Sequence, residues 1–448
     1  MRLLLTHGYF IEEDPKERQI MKPYAPLGIL YLSSYLSSRG FDVEVHDSTF
    51  SSKDRLFREL DAGPAGVLGI YGNLMTRASV LAIAQRAKDA GWLVMLGGPE
   101  PSNYAGEFLG AGADLIVAGE GERAVERLAA VGFARNHWGS IPGLVFRNPS
   151  GETVSTGPAE TIQDLDSLPW PDRGKVDIDR YLATWRGHHG TGSVSVITAR
   201  GCPYRCNWCS HSVFGHTHRR RKPRAVADEI EWLLGRYRPD MLWMADDVFT
   251  IHPGWIGQFA AEMKRRNLRI PFECITRADR MDERMAATMA DLGCMRIWIG
   301  SESGSQRILD AMERGVTVAE VHRAVEACRK YGIQTGMFLM WGYDGEEIVD
   351  IEATVEHVKR CRPDIFFTTV SYPIKGTPYF SKVASRLVKI GGWAETTDRD
   401  LKVRGRHSRA FYRYADDLLR TETAERRDSD AIREARAGLR RTFEEVEA

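Results

Sequence analysis

The sequence lacks a net charge, a hydrophobic run of membrane-spanning length and an N-terminal signal peptide. Lys and Arg number 61, and Asp and Glu also number 61, so no global field would attract nucleic acid or an anionic membrane. No stretch approaches the roughly 20 apolar residues of a transmembrane helix, and the opening MRLLLTHGYF has no small-residue cleavage site. We therefore expect a cytoplasmic protein without a membrane span and without a nucleic-acid partner.

Cysteine is scarce and oddly distributed. The chain has 7 cysteines, and three of them, Cys202, Cys206 and Cys209, fall within eight positions. An odd count with this clustering favours a metal site in a reducing compartment over a disulfide framework. The other four are single and lie in or beside apolar runs, so we interpret them as core residues; they are Cys274, Cys294, Cys328 and Cys361.

The first 135 residues alternate short apolar runs with amphipathic stretches, which is typical of a parallel α/β sheet. We predict a Rossmann-like N-terminal domain over 1–135. Several of its predicted strands end in glycine, where backbone can approach a ligand closely at the carboxyl edge of a sheet. These strand ends are Gly72 with Asn73, Gly97 with Gly98 and Pro99, and Gly119 with Gly121.

Beyond this domain the periodicity weakens, and Pro, Gly and Asp accumulate over 136–188, which predicts a linker with one hairpin around 149–151. A second α/β series follows. Its six predicted strands alternate with amphipathic helices, which implies a partial (β/α)6 barrel over 189–385. The charged remainder, 386–448, is predicted to be a helical C-terminal region. The predicted fold class is therefore α/β, with these parts in this order.

The segment ITARGCPYRCNWCSH carries the cysteine cluster as C-x3-C-x2-C, directly after a predicted strand. Closely spaced thiolates on one loop can converge on a soft metal centre. Three protein ligands on a four-iron cluster leave one iron open for chemistry. A zinc site completed by His211, His216 or His218 is an alternative, although structural zinc more often uses two separated C-x2-C pairs.

The cysteine motif, with Trp208 before its third cysteine, resembles that of the radical S-adenosylmethionine (SAM) superfamily, and the resemblance extends from Ser193 to Tyr379. It implies a 4Fe-4S cluster on Cys202, Cys206 and Cys209 that reductively cleaves SAM to a 5′-deoxyadenosyl radical. An external donor of the flavodoxin or ferredoxin type would supply the electron. The SAM-binding residues that it implies are Tyr204, Trp208, Asp246, Asp247, Arg277, Ser301, Glu302, Ser303 and Met340.

The N-terminal region resembles the cobalamin-binding module of one branch of that superfamily, through YAPLGILYLSSYLSSRGFDVEVHD, GGPEPSNYA and AGEGE. No D-x-H-x-x-G occurs, so no histidine is offered in the usual way as the lower cobalt ligand. The cobalamin-binding residues that this likeness implies are Gly8, Tyr9, Pro26, Leu27, Gly28, Gly72, Asn73, Gly97, Gly98, Pro99, Gly119, Glu120, Gly121 and Glu122.

The resemblance implies methylation of an unactivated carbon of a small-molecule substrate. The alternative is a radical oxidoreductase or cyclase similar to the anaerobic magnesium-protoporphyrin ester cyclases. A zinc-stabilised RNA-binding protein is a hypothesis of a different class, to which the basic run RRRKPR at 219–224 would belong, although such a run is usually a solvated loop. The sequence indicates neither the substrate nor the oligomeric state.

Overall fold

The chain divides into two units in a computed structural model that describes residues 2–425 and 428–447. The first unit comprises Met1–Pro203, Ser210–Met241 and Gly392–Thr397, and the second comprises Tyr204–Cys209, Leu242–Gly391 and Asp398–Ala448. The predicted domain limits stay predictions.

In the first unit, the strands are β1 Leu3–His7, β2 Val43–Val45, β3 Val67–Tyr71, β4 Leu93–Gly97, β5 Leu115–Val117, β6 Leu144–Arg147, β7 Thr153–Ser155, β8 Ser193–Val196, β9 Ala199–Arg200 and β10 Arg219–Arg220, of which β1, β3, β4 and β5 are apolar runs. The helices are α1 Pro15–Ile20, α2 Leu27–Ser37, α3 Lys53–Asp61, α4 Arg77–Asp89, α5 Pro99–Asn103, α6 Ala105–Gly110, α7 Glu122–Ala130, α8 Ile178–His189 and α9 Pro223–Tyr237.

The main sheet of this unit has the order β2-β1-β3-β4-β5-β6-β7. Its first five strands are parallel, and β6 and β7 add to the edge as an antiparallel hairpin. Every residue of β1 is buried because a hydrophobic core covers each face of the sheet. Strand order reverses between β1 and β3, which creates a crevice at their carboxyl ends. The predicted hairpin therefore forms, and part of the predicted linker belongs to this sheet.

In the second unit, the strands are β11 Met241–Met244, which begins one residue before the unit, β12 Phe272–Thr276, β13 Cys294–Glu302, β14 Gln334–Trp341, β15 Ile365–Val370, β16 Leu387–Val388 and β17 Lys402–Val403. The helices are α10 Pro253–Arg265, α11 Glu283–Leu292, α12 Gln306–Ala311, α13 Val318–Lys330, α14 Ile348–Cys361, α15 Pro378–Val383, α16 Arg409–Thr423 and α17 Ser429–Thr442.

Strands β15-β14-β13-β12-β11 are neighbours in that order, and all their pairings are parallel. The connecting helices bury one apolar face each, as in α13, where Thr317 and Glu320 form a capping box at the N-terminus. The C-terminal helices α16 and α17 pack on one another, and α16 also packs on α14. The predicted fold class is confirmed. Among the described residues, no helix combines the length and apolar character that a membrane crossing requires.

Candidate active site

The cysteine loop begins where β9 ends. Gly201 has φ +84°, and a Cβ there would lie 2.3 Å from the carbonyl oxygen of Thr217, so a side chain at this position would collide with backbone. The three cysteines that follow differ in exposure: Cys202 is partly buried, Cys206 is buried and Cys209 is exposed. The Cys209 N–H donates to the Cys206 carbonyl at 3.1 Å, which makes a tight turn between the last two thiols.

Two guanidinium groups lie beside the buried thiol in the second unit. Arg314 Nη1 is 3.6 Å and Arg277 Nη1 is 3.9 Å from Cys206 Sγ. Both arginines are buried, so their charge is weakly screened by solvent. Positive charge at this distance would complement the negative charge of a thiolate bound to a metal. Arg314 was not predicted from the sequence, because this residue lies after α12 and belongs to no recognisable motif.

Arg277 makes stacking and hydrogen-bond contacts with several residues around the cysteine loop. It stacks on the ring of Tyr204 at 3.7 Å, and its N–H groups donate to Asp279 and to the carbonyl oxygens of Arg314 and Gly315. The Tyr204 hydroxyl in turn accepts from Arg280 Nε at 2.7 Å. Two residues predicted to bind SAM, Tyr204 and Arg277, therefore pack on each other and support the loop that carries Cys206.

Trp208 and Met340, also predicted to contact SAM, belong to one hydrophobic cluster of the second unit, together with Tyr343 and Tyr379. These two tyrosine rings stack with centroids 4.7 Å apart. The Tyr343 hydroxyl donates to the Asn207 side chain at 2.8 Å. An apolar surface next to the cysteine loop suits the flat, uncharged part of a nucleotide.

The end of β13 directs its side chains in two ways. Ser301 Oγ is 2.8 Å from His357 Nε2, and Ser303 Oγ is 3.2 Å from Thr354 Oγ1, so both serines are buried and bonded to α14. Glu302, at a register shift in the strand with φ +62°, instead faces Arg314 at 4.0 Å. Burial raises the pKa of Glu302, and the Arg314 charge opposes that rise. Of the three predicted residues, Glu302 is the one whose side chain is not bonded to α14.

Asp246 and Asp247 follow β11. Asp246 is buried, whereas Asp247 has solvent-accessible surface at the carboxyl end of the strand. Loss of hydration within the protein raises the pKa of Asp247, and repulsion from the neighbouring Asp246 carboxylate raises it further. A carboxylate crowded in this way gains from a cationic ligand.

A cavity of about 130 Å³ lies inside the first unit at the carboxyl ends of its parallel strands. Seven of the predicted cobalamin residues line it: Gly28, Gly97, Gly98, Gly119, Glu120, Gly121 and Glu122. The other lining residues are Leu5, Ile29, Leu32, Gly69, Ile70, Tyr71, Met95, Val117, Val125, Arg200, Val213 and Phe214. None of these described residues is a histidine.

The remaining predicted cobalamin residues have local roles in the first unit, outside the lining of the cavity. The Tyr9 hydroxyl donates to Glu17 at 2.9 Å, and Asn73 caps a short helical turn. Pro26 precedes the first residue of α2, Leu27, and Pro99 is the first residue of α5. Gly8 packs against Val80, and Gly72 packs against Pro101. These positions shape the turns around the crevice.

One wall of the cavity carries a buried network of charges. Arg200 Nη2 donates to Glu122 at 2.6 Å, and both Arg200 and Arg219 contact Glu120, at 3.4 and 2.7 Å. All four side chains are buried. Burial lowers the pKa of Arg200, but the carboxylates of Glu122 and Glu120 outweigh it, so the net pKa is raised. Because Arg200 lies two residues before Cys202, this network fixes the strand that leads into the cysteine loop.

The basic run at 219–224 is only partly the solvated loop expected from its composition: Lys222 and Arg224 are exposed, but two of its arginines are buried. Arg219 is bonded to Glu120, and Arg221 is ion-paired with Glu229, which also accepts from Arg173 at 2.7 Å. Arg219 and Arg221 are buried. Arg219 is therefore paired with a carboxylate 99 positions away and Arg221 with one eight positions away, and composition alone reveals neither pairing.

Replacing Arg200 by alanine should destabilise the first unit by about 3–5 kcal/mol, because Glu122 would remain buried without its cation. Denaturant unfolding of the full chain measures this loss. The matched control is Arg186→Ala, whose ion pair with Asp240 is exposed and should contribute only about 0–1 kcal/mol. Equal losses for the two variants would contradict a buried network.

Two family models match the chain: the "Radical SAM superfamily" over residues 196–358 and the "B12 binding domain" over residues 20–129. An uncharacterized methyltransferase of Pyrococcus horikoshii is 27% identical over 85% of this chain and 83% of its own length. An anaerobic magnesium-protoporphyrin IX monomethyl ester cyclase of Cereibacter sphaeroides is 28% identical over 86% of this chain and 64% of its own length.

Among solved structures, the radical SAM methyltransferase TsrM from Kitasatospora setae aligns with a TM-score of 0.72 at 22% identity, covering 86% of this chain and 76% of that chain. The cobalamin-dependent radical SAM enzyme OxsB aligns with a TM-score of 0.72 at 19% identity, over 93% of this chain and 66% of that chain. The cofactor classes predicted from the sequence agree with the two matched families. The chain is an enzyme of the radical SAM superfamily in which a B12-binding domain precedes the radical SAM domain.

Proposed function

We propose that this enzyme methylates a carbon atom of a small-molecule substrate, using SAM, a 4Fe-4S cluster and cobalamin. The observation that carries the proposal is the buried Cys206 thiol beside two buried guanidinium groups, on a loop with two further cysteines, Cys202 and Cys209. Such a donor set fits a cluster held by three thiolates and left open at one iron. We further propose a cytoplasmic site of action and an electron donor of the flavodoxin or ferredoxin type.

In this proposal, Cys202, Cys206 and Cys209 hold the cluster, which supplies the electron that cleaves SAM. Arg277 and Arg314 offset the negative charge of the Cys206 ligand. Asp247 binds the ammonium group of SAM, and the Trp208 and Met340 cluster receives an apolar part of the nucleotide. Glu302, held by Arg314, accepts a hydrogen bond from the ribose.

The cavity of the first unit suits an apolar portion of cobalamin, because glycines and aliphatic side chains surround it and its charged groups are already paired. Cobalamin would supply the methyl group. The chain's contribution there is to exclude water and to fix the position of the cofactor. Because no histidine is among the described lining residues, this cavity would offer cobalamin no imidazole ligand.

The test is anaerobic reconstitution with iron, sulfide and cobalamin, followed by incubation with SAM and a reductant. Methylation consumes two molecules of SAM, so both 5′-deoxyadenosine and S-adenosylhomocysteine should form. The control is the same protein reconstituted without cobalamin, which should form 5′-deoxyadenosine but no S-adenosylhomocysteine. Failure to form S-adenosylhomocysteine with cobalamin present would contradict a methyltransferase.

A second candidate, radical cyclisation or oxidation, is favoured by the similarity to cyclases such as that of Synechocystis, which is 26% identical over 87% of this chain and 78% of its own length. Such a reaction yields 5′-deoxyadenosine without S-adenosylhomocysteine. The product ratio of the experiment above therefore separates the two candidates.

Asp247→Asn should weaken SAM binding about 10-fold, or about 1.4 kcal/mol, because it removes the charge that faces the ammonium group. Because the pKa of Asp247 is raised, its carboxylate is protonated at a higher pH than that of an ordinary aspartate. The parent enzyme should therefore lose affinity for SAM at a correspondingly higher pH as the solution is acidified. The asparagine variant should lack this contribution. Equilibrium dialysis of SAM across pH measures both effects. Asp291→Asn, on the exposed side of α11, is the matched control and should bind SAM as the parent does.

A further inference from the structure

A second set of metal-ligating side chains lies in the second unit, where helices α13 and α14 pack together. His322 is on α13, and His357 and Cys361 are on α14 at i and i+4, on one face of that helix. One ligand atom from each of the three side chains falls within 4.8 Å of the others. No part of the proposed SAM chemistry uses these three side chains as ligands.

The spacing of these atoms is close to that of a bound ion. His322 Nε2 is 2.9 Å from His357 Nδ1, and His357 Nδ1 is 3.9 Å from Cys361 Sγ. A tetrahedral zinc ion, with bonds of about 2.0 Å to nitrogen and 2.3 Å to sulfur, separates its ligand atoms by roughly 3.3–3.6 Å. To reach bonding distance, the two imidazole nitrogens would have to move apart by roughly 0.4 Å, and the wider separations, which reach at most 4.8 Å, would have to close by up to about 1 Å.

The orientation of His357 also suits a ligand. Its Nε2 contacts Ser301 Oγ at 2.8 Å, which leaves Nδ1 directed at His322. Cys361 Sγ lies beside the same ring, 3.9 Å from Nδ1 and 4.0 Å from Nε2. Histidines that bind metals commonly use the second ring nitrogen in such a hydrogen bond, which fixes the ring. Gly304 strengthens this arrangement, because a Cβ there would lie 2.5 Å from His357 Cβ, so the loop after β13 packs directly on α14.

The surroundings decide which cation fits. Arg360 interacts electrostatically with all three side chains, Arg329 with Cys361, and Glu326 with His322 and Cys361, so the neighbourhood has more positive than negative charge. A hard cation that needs several carboxylates is excluded by the donor set, whereas two imidazoles and a thiolate suit zinc. His357 and Cys361 are buried and His322 is partly exposed, so an ion and a fourth, water ligand have access from the His322 side.

We propose that His322, His357 and Cys361 form a zinc site between α13 and α14, separate from the iron-binding cysteine loop. As the zinc–sulfur bond forms, the Cys361 thiol loses its proton to solvent, and no electron is transferred. The ion ties the two helices together and holds the imidazole that contacts Ser301. This proposal does not depend on the SAM chemistry of the enzyme.

The test uses the full chain with Cys202, Cys206 and Cys209 all replaced by alanine, because those thiols would also take up Zn²⁺. After equilibrium dialysis against Zn²⁺ and metal analysis, this parent should hold one equivalent per chain, and Zn²⁺ should raise its melting temperature. Adding His322→Ala or Cys361→Ser to this parent should abolish both the bound Zn²⁺ and the rise in melting temperature that Zn²⁺ causes. Matched controls are Cys328→Ala, a buried thiol on the same helix as His322, and His137→Ala, an exposed histidine of the first unit; both should keep them.

His322 is partly exposed, so its alanine variant should fold, and an unchanged melting temperature without metal verifies this. Replacement of Zn²⁺ by Co²⁺ gives a second measurement, since thiolate-to-cobalt charge-transfer absorption should be present in the parent and absent in Cys361→Ser. A parent that holds no Zn²⁺ would overturn the proposal. Retention of the equivalent by a folded His322→Ala variant would also overturn it.

Discussion

Cys206→Ala should lose iron and should cleave SAM at least about 10³-fold more slowly, which corresponds to about 4 kcal/mol in the barrier. Cys206 is the buried thiol of the loop, and the charges of Arg277 and Arg314 are directed at its sulfur. Without that ligand, the cluster would have two protein thiolates in place of three. Iron analysis and 5′-deoxyadenosine formation under anaerobic conditions measure the two effects.

The matched control for that variant is Cys294→Ala. Cys294 is also a buried free thiol of the second unit, but it begins β13, and burial followed by the neighbouring Cys274 raises its pKa well above the ordinary value. Its Sγ donates to the Arg296 carbonyl oxygen at 3.5 Å and lies outside the cysteine loop, so it should not bind the cluster. Iron content should be unchanged in this variant. Retention of both iron and SAM cleavage by Cys206→Ala would remove the cluster assignment.

Gly28→Leu should weaken cobalamin binding by about 10- to 100-fold, or roughly 1.4–2.7 kcal/mol. Gly28 lines the cavity of the first unit, and a Cβ there meets nothing nearer than the Tyr71 ring at 3.9 Å, so the larger side chain can enter the cavity without a backbone clash. Iron content should stay at the parent level. Cobalamin retained after gel filtration, and a titration followed by absorbance, measure the effect.

Gly106→Leu provides the corresponding control, because Gly106 lies on the short helix α6, a Cβ there meets no atom within 4 Å, and it is not among the cavity residues. It makes the same chemical change on a helix and should leave cobalamin binding unaltered. If both leucine variants bind cobalamin as the parent does, the cavity is not the cofactor site.

The architecture was predictable because its signals are local. Alternation of apolar runs and amphipathic helices identifies both α/β series, and Cys202, Cys206 and Cys209 identify the loop through their spacing alone. The glycines at the ends of β4 and β5 were found in the same way, and they line the cavity of the first unit. Features encoded within ten or so neighbouring residues were therefore accessible from the sequence.

Features formed by two segments that are distant in sequence could not be predicted from the sequence. The cavity also uses Tyr71, Arg200 and Phe214, which come from three separate stretches of the chain. The basic run was interpreted as solvated because composition does not show pairing. Glu120, which pairs with Arg219, is 99 positions away, and Glu229, which pairs with Arg221, could be identified only once α9 places it beside that arginine.

The orientation of side chains at strand ends was equally inaccessible. The register shift at the end of β13 directs Ser301 and Ser303 to α14 and leaves Glu302 facing Arg314, so three adjacent residues that resemble one binding motif have different partners. The group of His322, His357 and Cys361 also depends on two helices meeting, and only the i, i+4 pair is visible in the sequence.

The most direct test of the central claim is the metal and product analysis of the anaerobically reconstituted chain. A radical SAM enzyme with the proposed cysteine ligands should hold about four irons with matching sulfide in its cluster and should form 5′-deoxyadenosine from SAM when reduced. A chain that takes up no iron under these conditions and leaves SAM intact would contradict the account.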